Sequence, residues 1–338
     1  MAAGTIRSVD RPTVLEICAG GGGQAAGLDA AGFAHVAAVE IDEAACATLR
    51  TNRKEWNVKE CDVRQIDGKS YKGVDLLAGG VPCPPFSVAG KQLGPDDERD
   101  LFPAALDLIR DARPKAVMLE NVPGFASAKF ADYRNDILLQ LERMGYVSDW
   151  KVLNACDFGV PQLRPRFLLV ALQRKLADKF AWPTPLGATT TVGATLRDLM
   201  AARDWPGVEA WARRANGIAP TVVGGSKKHG GPDLGPTRAR AQWATLGVDG
   251  LGIADDAPDR DFPEIAMPRL TVRMVARVQG FKDEWQFSGR KTAAYRQVGN
   301  AFPPPVAEAV GRAIRAALLG HGAVVVTRRQ PIQPSLAR

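Results

Sequence analysis

From Val14 to Leu172 the chain alternates short apolar runs with amphipathic stretches, the pattern of a parallel sheet whose strands are joined by crossover helices. Val14–Cys18, Val36–Glu40, Val74–Ala78, Ala116–Glu120 and Arg166–Leu172 read as strands. Gln24–Ala31, Glu43–Arg53, Phe102–Arg110 and Tyr133–Met144 read as helices between them. The expectation is a doubly wound α/β domain with a mostly parallel sheet. At 338 residues, 46% hydrophobic and 24% charged, the chain is long enough to bury a real core and to form one large or two modest domains.

After Trp182 the composition changes, as Pro, Gly, Thr and basic residues replace the Val/Leu runs, which predicts a second, smaller, loop-rich domain. Between Trp211 and Arg240 the basic residues Arg213, Arg214, Lys227, Lys228, Arg238 and Arg240 are opposed only by Asp233, and acid returns at Asp255, Asp256, Asp259 and Asp261. Such a basic stripe is either a surface for a polyanion or a solvated face. Helical periodicity returns at Val272–Val278 and at Pro303–Leu319, whose Pro-rich start suits a first helical turn. The second of these helices is expected to pack back on the α/β domain, and the tail Arg328–Arg338 to be disordered.

With 44 Lys plus Arg against 37 Asp plus Glu, the chain carries +7, which favours a polyanionic partner. No run approaches the roughly 18 to 20 apolar residues of a membrane span, and the first residues lack the apolar core of a signal peptide. A cytoplasmic protein with no membrane attachment is expected. Five scattered cysteines, Cys18, Cys46, Cys61, Cys83 and Cys156, with three histidines make neither a disulfide framework nor a zinc site.

Several short motifs carry chemistry. Glu16-Ile17-Cys18-Ala19 followed by Gly20 to Gly23 closes the first strand and opens the first helix. Glycines there let a ligand approach the backbone, and Glu40 ends the next strand where it can accept ribose hydroxyls. This signal suits a nicotinamide enzyme and an adenosylmethionine enzyme equally. Val81-Pro82-Cys83-Pro84-Pro85-Phe86-Ser87 holds a cysteine on a Pro-rich loop at a strand's carboxyl end, where an attacking thiolate is wanted. Glu120-Asn121-Val122 brings a carboxylate and an amide to the same edge. In Gln162-Leu163-Arg164-Pro165-Arg166 the alternation lets both arginines point one way, as substrate ligands or as structural ion pairs.

In this order and spacing, with Cys61-Asp62-Val63, Arg269-Leu270-Thr271, Gln279-Gly280-Phe281 and Gln297-Val298-Gly299-Asn300, these motifs resemble a bacterial-type DNA (cytosine-5) methyltransferase over nearly the whole chain. Three positions depart from the family pattern. Cys18 stands where an aromatic residue usually touches the cofactor adenine, Met274 where an acidic residue is common, and Pro84 where Gln is frequent.

The resemblance implies a Rossmann-like catalytic domain over 1–185 and 290–338, a target-recognition domain over 186–268 and a hinge over 269–289. S-adenosylmethionine is the implied cofactor, leaving as S-adenosylhomocysteine, with no metal. Its site is drawn from Cys18, Ala19, Gly20, Gly22, Gly23, Glu40, Ile41, Asp62, Val63, Leu101, Asn300 and Ala301, with Glu40 on the ribose, Asp62 and Ile41 at the adenine and Asn300 closing the pocket.

Cytosine C5 is a poor nucleophile, so Cys83 attacks C6 to make an enamine, and a protonated Glu120 serves N3. Asn121 orients the loop and the substrate. Arg164 and Arg166 steady thiolate and substrate. A base inside duplex DNA is out of reach, so the target must be flipped. Ser87, Thr221, Lys227, Lys228, Arg238 and Arg240 are the implied DNA contacts, the last four on Gly-rich loops. The implied partner is double-stranded DNA, met by a monomer at the nucleoid, with a restriction endonuclease as a genetic partner. An RNA (tRNA) cytosine-5 methyltransferase and a non-catalytic DNA-binding relative are the alternatives.

Overall fold

The computed structural model describes residues 11–82, 100–187, 190–225 and 231–320. Seven strands form one mixed sheet: β1 (Thr13–Ile17), β2 (Ala34–Glu40), β3 (Val58–Glu60), β4 (Leu76–Gly80), β5 (Ala116–Asn121), β6 (Tyr146–Asn154) and β7 (Pro165–Gln173), in spatial order β3-β2-β1-β4-β5-β7-β6. The first five run parallel, and β7 lies antiparallel between β5 and β6. The order reverses between β1 and β4, so a crevice opens beyond their carboxyl ends, where ligands bind in open α/β sheets.

The helices cover both faces. On one, α3 (Phe102–Ala112) and α4 (Ala131–Arg143) bury Leu106, Ile109, Ile137 and Leu141 against Leu77, Val117 and Leu169. On the other, α1 (Gly23–Ala30) and α11 (Pro304–Leu318) bury Leu28, Val306, Val310 and Ile314 against Val14, Ala78 and Met118. The two helices touch closely, since a Cβ at Gly27 would fall 2.4 Å from the Pro304 carbonyl oxygen. The C-terminal helix thus packs on the α/β domain, and it begins with proline inside its first turn. The remaining helices around the sheet are α2 (Glu43–Asn52) and the short α5 (Arg174–Ala177).

The region expected to be loop-rich holds three helices, α6 (Val192–Ala201), α7 (Val208–Arg214) and α8 (Thr237–Thr245). Val192, Leu196 and Met200 share one face of α6 and bury against Trp211 and Trp243 in a cluster that also holds Trp205. The same cluster continues through α9 (Val272–Val278) and α10 (Lys291–Asn300) to Ala25 and Leu49 beside the glycine turn. Residues 269–289, expected to be a hinge, contribute Met274, Val275, Phe281 and Trp285 to that core. The tail Arg328–Arg338 lies outside the described residues. Among those described, no helix is long and apolar enough to cross a membrane.

Candidate active site

A cavity of about 680 Å³ occupies the crevice beyond β1 and β4. Of the residues expected at the cofactor, Cys18, Ala19, Gly20, Gly23, Glu40, Ile41, Asp62, Val63, Leu101, Asn300 and Ala301 line it, as do Glu120 and Pro82. Gly22 lies behind the lining, at a φ of 85° as the cap of α1. Cys61, Arg64, Arg296, Gln297 and Phe302 also line the cavity and were not expected there. Among the described lining residues the aromatic one is Phe302.

Glu40 holds the turn in shape. Its Oε2 accepts the Gly20 N–H at 2.7 Å, and its Oε1 accepts the N–H groups of Ile41 and Asp42, each at 2.8 Å. Three of the carboxylate's roughly four acceptor positions are thereby committed, which leaves room for about one ligand hydroxyl. Ile41 stands 67% exposed at the rim, an apolar face for a flat ring. Asp62 takes Arg64 through Nε at 3.0 Å and Nη2 at 2.5 Å, and this pairing holds its carboxyl below the usual range. Cys18 adopts a φ of 50°, and burial beside Glu40 and Asp62 pushes its thiol up to about 12, so it is inert at neutral pH.

Glu120 ends β5 opposite Gly80 of β4, where a Cβ on Gly80 would stand 3.2 Å from Glu120 Oε2. Its Oε1 pairs with Arg166 Nε at 2.9 Å. Burial raises the Glu120 carboxyl above its ordinary value, against the opposing pull of Arg166 and Arg164. Asn121 donates Nδ2–H to the Val81 carbonyl at 2.9 Å and accepts the Val122 N–H at 2.7 Å, so it ties the end of β5 to the segment leading to residue 83. Cys83 and Ser87 lie outside the described residues.

Arg164 differs from expectation. Its side chain is 1% exposed and donates to three carbonyls: Val222 at 2.6 Å, Gly299 at 2.8 Å and Ala301 at 2.9 Å. A guanidinium so engaged braces residues 222, 299 and 301, and it is Arg166 that pairs with Glu120. Glu120 feels both arginines, and the antiparallel pairing of Glu120 with Leu168 and Asn121 with Phe167 puts Arg166 nearer the carboxylate.

Thr221 sits beside this brace, because Ala219 N–H donates to Pro161 O at 2.8 Å and Leu163 N–H to Ala219 O at 2.7 Å. The Thr221 hydroxyl donates to the Leu163 carbonyl and so is not free for a phosphate as placed. Arg238 and Arg240 stand on α8 rather than on a Gly-rich loop, with Arg240 Nη2 on Thr237 Oγ1 at 3.2 Å. Lys227 and Lys228 lie outside the described residues. Asn300 joins both halves of the site, lining the cavity while its Nδ2 donates to the Gly225 carbonyl at 3.2 Å. Among the described residues no group of three or more His, Cys, Asp or Glu is placed to hold a metal ion.

A family model described as C-5 cytosine-specific DNA methylase matches residues 13–316. The chain is 60% identical over 313 residues to Type II methyltransferase M.NaeI of Lentzea aerocolonigenes, covering 91% of this chain and 76% of that protein. It is 55% identical over 309 residues to Type II methyltransferase M.NgoMIV of Neisseria gonorrhoeae, covering 90% of this chain and 98% of that one. The crystal structure of a Spodoptera frugiperda DNMT2 variant shares the fold with a TM-score of 0.65 at 18% identity, covering 90% of this chain and 99% of that chain.

Proposed function

The chain belongs to the C-5 cytosine-specific DNA methylase family and is a DNA cytosine methyltransferase, and from that premise we propose that it methylates C5 of a cytosine flipped from a specific short duplex sequence, through a covalent bond from Cys83 to C6. The observation that carries the reading is one cavity lined both by the glycine turn with Glu40 and by Glu120, whose carboxylate pairs with Arg166. The cavity fits S-adenosylmethionine: Glu40 retains acceptor capacity for a ribose, and Ile41 offers an apolar face at the rim. Bound there, the sulfonium supplies an electrophilic methyl group.

Every other step falls to the chain. Cys83 adds to C6 of the flipped base. Glu120, whose acid form burial favours, donates to N3 as charge enters the ring, so that C5 becomes an enamine carbon able to take the methyl group. Arg166 holds Glu120 in place and steadies the negative charge that develops beside it. Asn121 fixes the strand end that leads to Cys83. Loss of the C5 proton to a base then releases Cys83 and restores the aromatic ring. Residues 186–268 read the target, with Arg238 and Arg240 among the groups that meet phosphate or guanine. A restriction endonuclease is the expected genetic partner, as the Type II designation of the relatives suggests.

Methyl transfer from labelled S-adenosylmethionine, offered duplex DNA and tRNA in parallel, tests this reading. Label in DNA alone, at cytosines that bisulfite sequencing maps to one short site, is the expected result. Label in tRNA alone would establish the RNA alternative, and label in neither would favour a non-catalytic DNA-binding protein.

A further inference from the structure

The four glycines of the cofactor turn are not equivalent. A Cβ built on Gly20 meets nothing within 4 Å, so that position opens on the cavity. At the other three a Cβ would meet protein, although Gly21 and Gly23 also border the cavity. At Gly21 a Cβ would fall 2.9 Å from Gln297 Cβ and 3.3 Å from the Phe287 ring, and at Gly22 it would fall 2.5 Å from the Trp285 ring. At Gly23 it would fall 2.2 Å from the Phe302 carbonyl oxygen and 3.3 Å from the Phe281 ring. Close approach of ligand therefore explains one glycine, whereas close packing of protein explains the rest, with Trp285 the nearest group at Gly22, Gln297 at Gly21 and the Phe302 carbonyl at Gly23, and Phe287 and Phe281 next to the last two.

We infer that Trp285 is a positioning residue for the cofactor, holding the glycine turn in its ligand-binding shape from behind. This rests on the proposed S-adenosylmethionine site. The indole Nε1–H donates to the buried Gly21 carbonyl at 3.0 Å. Its neighbour in the turn, the Gly20 N–H, is taken by Glu40 of β2 at 2.7 Å. Two successive residues of the turn are thus held by side chains from different elements, and neither peptide can rotate without stranding a buried group.

The indole is itself anchored. Arg53, at the end of α2, lies 5.4 Å from the Trp285 ring and 5.7 Å from that of Trp56, and its guanidinium pairs with Asp29 of α1 at 3.0 Å. Phe281 and Phe287 pack edge to face at 5.0 Å beside it. The carbonyl that Trp285 fixes lies in the turn and not at the reacting atoms, so its loss bears on cofactor binding rather than on the chemical step.

Trp285→Phe keeps the ring and removes the donor. Calorimetry with S-adenosylmethionine alone, and steady-state kinetics with both substrates varied, should show cofactor Kd and KM raised about tenfold, with kcat and the DNA KM within about twofold of wild type. Trp243→Phe is the control, since that buried indole has no partner for its Nε1 among the described residues and stands on α8 rather than against the glycine turn. It should lower the melting temperature without moving cofactor Kd. Phe287→Leu, a second variant that leaves Trp285 intact, should raise cofactor Kd in the same direction by a smaller factor.

Cofactor addition should also change the tryptophan fluorescence of wild type and of Trp243→Phe, but not of Trp285→Phe. Unchanged cofactor affinity in Trp285→Phe and Phe287→Leu would overturn the inference. So would losses of cofactor affinity, DNA affinity and kcat that simply follow melting temperature in all three variants. A wild-type protein that binds no S-adenosylmethionine would instead overturn the functional reading beneath it.

Discussion

Replacing Arg164 by methionine separates the two arginines most sharply. The substitution keeps much of the side-chain volume and withdraws the donors of Val222 O, Gly299 O and Ala301 O. Ala301 O retains Gln279 Nε2 at 3.3 Å, so two carbonyls lose their side-chain donor and one is weakened. A buried polar group left unpaired costs about 1–3 kcal/mol, giving a gross loss of about 2–6 kcal/mol. Relief from burying a guanidinium offsets part of this, leaving a net loss of about 3 kcal/mol. At an m-value of about 3 kcal/mol per molar urea, the midpoint of unfolding should fall by about 1 M. Arg166→Met should behave oppositely. Glu120 can take up a proton once its partner is gone, so the midpoint should move little, while kcat falls about a hundredfold or more. Urea unfolding followed by fluorescence, beside single-turnover methylation in native buffer, reads both. An Arg164→Met protein with the wild-type midpoint and a collapsed kcat would refute the cross-brace and return that guanidinium to the substrate.

Three further outcomes follow from the geometry. Because burial raises Glu120, the acid form survives to higher pH than in an ordinary glutamate. Single-turnover rates should therefore fall on the alkaline side as the proton is lost, and Glu120→Gln should be slow with that limb absent. The same shift means that this carboxyl's stability contribution is fully present below about 4.5 and is lost as pH rises through its folded value, so the glutamine variant should unfold with a weaker dependence on pH over that window. Glu40→Ala, which strands the N–H groups of Gly20, Ile41 and Asp42, should weaken cofactor binding more than DNA binding by calorimetry; equal losses would place Glu40 outside the site. Salt titration of DNA affinity should show a log–log slope that drops by about one unit per charge removed in an alanine series over Lys227, Lys228, Arg238 and Arg240, and identical slopes would make the cluster a solvated face.

The strands β1, β2, β4 and β5 were legible because a buried parallel strand is an uninterrupted apolar run, and four such runs alternate with helical stretches. The orientation of β7 was not, since Phe167 to Leu172 is equally apolar in either direction. Nor was β6, whose half-exposed residues carry no clear period, or β3, which spans three residues. Helices α6 to α8 hid behind their Gly and Pro neighbours although Val192, Leu196 and Met200 keep helical spacing. At the site, Gly20, Glu40 and Glu120 could be found from local motifs because each ends a strand or opens a turn. The division of labour between Arg164 and Arg166 could not, because it depends on carbonyls at residues 222, 299 and 301, far away in sequence. The aromatic backing of the turn stayed hidden for the same reason. Trp285 and Gly21 are 264 positions apart.

The covalent step is the centre of the account, and DNA carrying 5-fluorocytosine at the target site tests it directly. Cys83 still adds to C6 and the methyl group still transfers, because neither step breaks the bond from C5 to fluorine. Elimination then stops, since it would require fluorine to leave as a cation. The account predicts a protein–DNA complex that survives denaturing electrophoresis, requires S-adenosylmethionine and Cys83, and forms slowly in Glu120→Gln. An active wild-type protein that forms no such complex, or a Cys83→Ala protein that forms it equally well, would contradict the account.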